Sequence, residues 1–274
     1  MYERAHVPVR PEAGTELPVA RRPRRRTAVA VALAGAVAFS AGRVSADEPP
    51  APSGAVRART TATAPLEGSL ADVIAEATDS IVSVETAAYG GPFGAGVSGE
   101  GSGVVIGRDG LVLTNAHVVD GAAEIVVTAS TGARYDADLV GSDAVHDVAI
   151  LDVGSDDLEP IAVGSSADLQ LGDDVVALGY PLGLGTTATR GIVSGLDRTI
   201  HVGDGSSGTN ELRGLLQTDA AINPGNSGGA LLDSQGRLIG INTAAASAAA
   251  AENVGFAVAI DEALAVVERL LADA

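Results

Sequence analysis

One stretch of the chain sets a serine among glycines: Gly225-Asn226-Ser227-Gly228-Gly229, within TDAAINPGNSGGALL (residues 218–232). A serine hydroxyl attacks a carbonyl where the backbone turns sharply enough to present it and where N–H groups meet the developing oxyanion. Flanking glycines permit that turn at small steric cost. Pro224 fixes its own φ and biases Asn223 toward an extended conformation, so the chain enters the turn from one direction. The backbone N–H groups of Gly225 and Ser227 are then the candidates for an oxyanion hole. The same residues would also make an ordinary surface turn, so the reading depends on partners elsewhere.

A serine nucleophile needs a histidine to take its proton and a carboxylate to orient that histidine. The chain has four histidines, His6, His117, His146 and His201, and all precede Ser227. That order excludes the Ser, Asp, His succession of an α/β-hydrolase, although Gly225-x-Ser227-x-Gly229 matches its nucleophile turn in form. The order His, Asp, Ser stays open. His117 closes the apolar run LVLTNA and Asp147 opens the run DVAILDV, so both are predicted at strand ends, where a rigid scaffold can hold a side chain over a cleft. His146 and His201 are read as structural or solvated, because an extended chain turns His146 away from Asp147 and His201 lies in a Gly/Ser/Asp-rich stretch.

TNAHVV, DVAIL and GNSGGALL, in that order, resemble the three catalytic blocks of the trypsin-like (chymotrypsin-fold) serine proteases. ALGYPLGLGTTATRGIVSGLDR and QTDAAINPGNSGG resemble the HtrA/Deg branch in particular. The similarity runs from about Leu70 to the C-terminus. It implies that His117 is the general base, Asp147 its orienting carboxylate and Ser227 the nucleophile. It implies no metal or organic cofactor, and polypeptides as partners, namely unfolded or misfolded envelope proteins. In this fold the residue six before the nucleophile lies at the base of the S1 pocket; here it is Ala221, followed by Ile222. With no carboxylate there to offset the desolvation of a cation, cleavage after aliphatic residues is expected. Asp219, eight residues before Ser227, is read as a structural loop carboxylate. A protease fold that only binds, as a catalytically silent chaperone module, is the alternative; intact His117, Asp147 and Ser227 argue against it.

The elements that must position these residues read as short strands at regular intervals. IVSVETA, GSGVVIG, GLVLTNA, EIVVTAS, ARYDADLVG and DVAILDV form one set; EPIAVG, DDVVALGY, TTATRGIVSGLDR, LLQTDAA, GALLDS, RLIGINTA and NVGFAVA form another. The expectation is an all-β fold of two antiparallel six-stranded β-barrels, the first over about 80–155 and the second over about 160–260. A short helix from Ser69 precedes them and a C-terminal helix over 260–273 follows. His117 and Asp147 would come from the first barrel and Ser227 from the second. The sequence ends after that helix, where most HtrA relatives continue into a PDZ domain. In that family trimers form through aromatic contacts near the start of the protease domain, and Tyr89 and Phe93 are the aromatics there, so a homo-oligomer is the assembly the resemblance implies. The stretches 201–214 and 243–253 correspond by position to loops that switch in the family.

Composition sets the surroundings. Of the 274 residues 46% are hydrophobic and 3% aromatic, with no cysteine and no lysine, so the core is built from Ala, Val, Leu and Ile without disulfides. Residues 1–46 carry eight arginines against three acids, and the remainder nine arginines against 32 acids. So acidic a body argues against nucleic acid as a partner. Residues 1–26 read as a disordered basic cytoplasmic tail. The uncharged segment 27–42 reads either as a signal-peptide core, cut after Val44-Ser45-Ala46, or as an anchor held in the membrane if uncleaved. Both place the body outside the cytoplasm. Residues 43–67 read as a flexible linker and 68–274 as the protease domain.

Overall fold

The computed structural model describes residues 69–89, 95–96, 99–181, 185–202, 210–243 and 253–274. The basic tail, the segment 27–42, the linker 43–67, Phe93 and the centres of the stretches 201–214 and 243–253 lie outside them, as does the side chain of Tyr89.

The first helix, α1 (Leu70–Thr78), begins at Ser69 with a capping box. The serine side chain accepts from Asp72 N–H, and the Asp72 side chain accepts from Ser69 N–H, satisfying two donors the helix leaves open. Those bonds hold the Asp72 carboxyl below its ordinary range. Val73 and Ala77 turn inward.

The first sheet is antiparallel and curled. Its strands are β1 (Ile81–Tyr89), β2 (Ala95–Gly96), β3 (Glu100–Val105), β4 (Leu111–Thr114), β5 (Glu124–Thr128), β6 (Arg134–Asp136), β7 (Asp138–Asp143) and β8 (Val148–Asp152), with the four-residue helix α2 (Ala116–Val119) after β4. They run in the order β6-β5-β1-β3-β4-β8-β7, with β2 paired to β1. The second set is β9 (Asp174–Gly179), β10 (Thr187–Val202), β11 (Asn210–Thr218), β12 (Ala230–Leu232), β13 (Leu238–Thr243) and β14 (Gly255–Ala259). These close into a six-stranded barrel in the order β10-β11-β14-β13-β12-β9. Helix α3 (Ile260–Asp273) follows, packing its buried face, Ile260, Ala263, Val266 and Val267, into the largest core cluster. The fold is therefore mostly β, with a helix at each end.

Two predicted strands take other forms. ARYDADLVG divides at Ala137, whose N–H donates to Ile125 (3.0 Å), because β6 pairs with β5 and β7 pairs with β8. EPIAVG makes only an isolated parallel bridge, Val163 to Leu238. Pro160 removes a ladder donor at its start, and its remaining bonds go to Val105 and Leu238.

The core follows the period of two. On β9, Val175 and Ala177 join one cluster and Val176 and Leu178 another, as alternate side chains must. Ile81, Leu113, Ile150, Leu178, Leu215, Leu238, Ile241 and Ile260 are fully buried in one cluster that draws on both sheets and α3. At about 1.5–3 kcal/mol for each fully buried aliphatic side chain, this shared cluster is a large part of what holds the two β units in register.

Candidate active site

Strands β4 and β8 are antiparallel neighbours with Thr114 opposite Ala149, so the exit from β4 and the entry to β8 lie at the same end of the pair. Helix α2 comes directly after β4, placing His117 in its only turn. Before β8 the chain bends through Asp143–Asp147. The Asp143 carboxylate accepts from the N–H groups of Val145 (2.9 Å) and His146 (3.1 Å), and Asp147 adopts a left-handed φ of 55°, a conformation an aspartate tolerates better than most residues. Asn115 supports that backbone. Instead of capping α2, its side-chain amide donates to the Asp147 carbonyl (2.9 Å).

The result is a histidine seated on a buried carboxylate. His117 Nδ1 lies 2.9 Å from both Asp147 carboxylate oxygens, and the His117 N–H donates to Oδ1 at 3.1 Å. Thr243, at the end of β13 in the barrel, donates its hydroxyl to Asp147 Oδ2 (3.0 Å). The Asp147 side chain is 7% exposed and that of His117 38%, so the carboxylate is sequestered while the imidazole reaches solvent. An ionised carboxylate only accepts, so this pairing puts the ring proton on Nδ1 and leaves Nε2 as a base.

Ser227 belongs to the barrel and is buried. Its approach is the turn Asn223-Pro224-Gly225-Asn226, closed by Asn226 N–H to Asn223 carbonyl (2.9 Å). Proline at the second position and a φ of 93° at Gly225 define a type II turn, which demands glycine or asparagine at that place. Gly228 also has positive φ, 82°, and any side chain there would overlap the Ser102 carbonyl and the Thr114 hydroxyl.

The two halves meet within this small volume. Gly228 N–H donates to the Asn242 carbonyl and Asn242 N–H to the Gly229 carbonyl, each at 2.9 Å, so the loop after Ser227 is fixed to the residue preceding Thr243. From the first sheet, Ser102 N–H donates to the Ser227 carbonyl (2.7 Å). Gly101 fits between α2 and the same loop: a Cβ there would stand 2.8 Å from a Val118 methyl and 3.0 Å from the Ser227 carbonyl oxygen. His117, Asp147 and Ser227 are thus gathered at one junction of the sheet and the barrel.

Of the remaining predicted residues, Ala221 is exposed and accepts the Thr189 hydroxyl on its carbonyl (2.9 Å). Ile222 is buried against Gly255, where a Cβ would come within 2.6 Å of Ile222 Cγ1. Asp219 accepts from Ile192 N–H (2.7 Å), a loop-bracing carboxylate. His146 stands apart from the site: its Nδ1 is 2.8 Å from Asp143 and its Nε2 3.5 Å from Glu262 on α3. Sequence reasoning passed over Asn115, Ser102 and Thr243. All three are fully buried, and in the sequence they are marked only as polar residues at or beside the ends of apolar runs.

The model of the trypsin-like peptidase domain matches residues 101–241, from the strand that carries Ser102 to the one that ends at Thr243. The chain belongs to the trypsin-like peptidases. Its relatives assign it to their HtrA/Deg branch. It is 47% identical over 177 residues to Protease Do-like 1, chloroplastic, of Arabidopsis thaliana, covering 63% of this chain and 39% of that protein. It is 43% identical over 180 residues to Serine protease Do-like HtrA of Bacillus subtilis, covering 64% and 40%. Among solved structures, an HtrA-type protease AlgW with tripeptide superposes with a TM-score of 0.63 at 36% identity, over 74% of this chain and 64% of that one. This trypsin-like peptidase chain spans less than half the length of those two relatives.

Proposed function

We propose that the chain is an exported serine endopeptidase in which His117, Asp147 and Ser227 act as the catalytic triad. The observation that carries the reading is the His117 ring held at 2.9 Å from both oxygens of the buried Asp147 carboxylate, at the junction where the glycine-flanked Ser227 turn meets the first sheet.

In this mechanism Ser227 Oγ attacks the carbonyl carbon of the scissile peptide. The new C–O bond forms as the hydroxyl proton passes to His117 Nε2. The carbonyl electron pair moves to oxygen, and the N–H groups of Gly225 and Ser227 stabilise that oxyanion. Collapse breaks the C–N bond, and His117 gives its proton to the leaving amine. Water then attacks the acyl-enzyme, passing a proton to His117; the carbonyl–Oγ bond breaks, the acid product leaves and Ser227 recovers its proton. Asp147 stays ionised throughout, holding the tautomer and stabilising the imidazolium.

Ala221 and Ile222 would shape the S1 pocket, and with no acid between them the preferred P1 residues are aliphatic. The substrates are unfolded or misfolded proteins of the cell envelope. Residues 1–26 and 27–42, a basic block before an uncharged stretch, support export, and residues 68–274 would constitute the peptidase domain outside the cytoplasm. Labelling of the full chain with a fluorophosphonate tests the reading. Covalent modification that Ser227→Ala abolishes is expected; a folded wild-type protein that stays unlabelled contradicts it.

A further inference from the structure

The geometry points to Ser102 as the positioning residue of the nucleophile turn, a role that rests on Ser227 being the nucleophile. Ser102 lies on β3 of the first sheet and is fully buried. Its hydroxyl donates to the Gly225 carbonyl (2.7 Å) and accepts from Tyr180 N–H (2.8 Å). Its own N–H donates to the Ser227 carbonyl (2.7 Å), and its carbonyl accepts the Thr114 hydroxyl (2.7 Å). Every polar atom of this one residue is engaged, and two of its bonds cross from the sheet to the loop that carries Ser227.

Four consecutive peptide planes run from Pro224 to Gly228. The first and third carry the N–H groups of Gly225 and Ser227, the proposed oxyanion donors. The second and fourth are held at both ends. The second has its carbonyl on Ser102 Oγ and its N–H on Asn223; the fourth has its carbonyl on Ser102 N and its N–H on Asn242. The first donor plane therefore borders one plane that Ser102 pins, and the third lies between two. This control is needed because Gly225 is conformationally permissive. The same hydroxyl anchors Tyr180, and the adjacent Pro181 backs the turn so closely that a Cβ on Gly225 would stand 2.6 Å from Pro181 Cβ. Preorganised donors stabilise an oxyanion without reorganising at the moment of reaction. Ser102 touches no reacting atom; it sets the donors through the backbone.

The test is the rate at which a fluorophosphonate labels Ser227, forming the Oγ–P bond and releasing fluoride, with the full chain as wild type, Ser102→Ala, Ser102→Cys and Thr86→Val. Thr86 is the matched control: its buried hydroxyl also bridges a carbonyl and an N–H, both of Gly99 (3.1 and 2.8 Å), within the first sheet. Ser102→Ala should label about 10- to 100-fold more slowly per folded molecule, the scale of a small misplacement of reacting groups, with the midpoint of the pH–rate profile unmoved. Ser102→Cys, which keeps a side-chain donor at the position but a weaker one, should fall between and decides the matter if the alanine variant fails to fold. Thr86→Val should lose thermal stability and label at the wild-type rate. Wild-type labelling in folded Ser102→Ala or Ser102→Cys, or an equal loss in Thr86→Val, overturns the role of Ser102 and leaves the serine-peptidase reading standing. A wild-type chain that does not label overturns both.

Discussion

Thr243 and Asp147 are joined by a 3.0 Å hydrogen bond that crosses from the barrel carrying Ser227 to the carboxylate that holds His117. The carboxylate is therefore oriented by both halves of the fold. His117 Nδ1 engages both of its oxygens and the Thr243 hydroxyl donates to Oδ2.

Thr243→Val removes this bond while keeping the shape of the side chain. A hydrogen bond to a charged group contributes about 1.5–3 kcal/mol, and part of the loss falls on folding. The expected outcome is a kcat/KM about 10-fold lower, with a lower Tm, measured by steady-state kinetics beside thermal unfolding.

Gly225→Ala places a β-carbon on a residue with φ 93° and within 2.6 Å of Pro181 Cβ. A left-handed conformation costs a non-glycine residue about 1 kcal/mol or more, and the contact with Pro181 adds to it. The turn should leave its type II form. Activity is expected to fall about 100-fold or more, as when an oxyanion donor is lost, while circular dichroism shows a folded β protein.

The pocket reading predicts a preference at P1. A peptide library digested by the full chain should be cut after Val, Ala, Ile or Leu. Peptides with Arg at P1 should be poor substrates, because a cation entering beside Ala221 and Ile222 finds no carboxylate to offset its desolvation. Efficient cleavage after Arg would show that the pocket is formed by other residues.

Stability should fall in acid through Asp143. Burial alone would raise its carboxyl, but hydrogen bonds from the His146 side chain and from the N–H groups of His146 and Val145 outweigh burial and hold it below the ordinary value of 3.8. Arg269 at 3.2 Å from the same carboxylate adds a cation, and Glu262 faces His146 from α3. A carboxyl depressed on folding stabilises the protein fully above its unfolded value, and the contribution disappears as the pH falls through the folded one. The Tm of Asp143→Asn should therefore lie below that of wild type at pH 5–7, and the two should converge below about pH 3.8. A gap that persists in acid would show that the bend does not depend on this charge.

Much of this was legible in the sequence, for physical reasons that particular residues show. DVAILDV read as a strand because a short continuous apolar run suits a strand buried on both faces, as β8 is, IVSVETA because it is rich in β-branched residues, and Ser69 with Asp72 marked the start of α1 because the capping box is local chemistry. The candidates His117, Asp147 and Ser227 stood out by residue type and order. Thr243, Asn115 and Ser102 did not. Their work depends on contacts across long spans of chain, Ser102 to Gly225 and Thr243 to Asp147, and single serines and threonines in apolar runs carry no periodic signal. The break at Ala137 was hidden for a related reason. One apolar-polar run serves two neighbours, β5 and β8, and only the sheet's curl decides where it divides.

Ser227, activated by His117 on Asp147, is proposed to cut polypeptide chains. The most direct measurement is digestion of reduced casein by the full chain beside Ser227→Ala, with the fragment ends read by mass spectrometry. Fragments that end in aliphatic residues with wild type, and none with Ser227→Ala, are predicted. Equal digestion by both proteins, or none by a folded wild-type chain, would contradict the account.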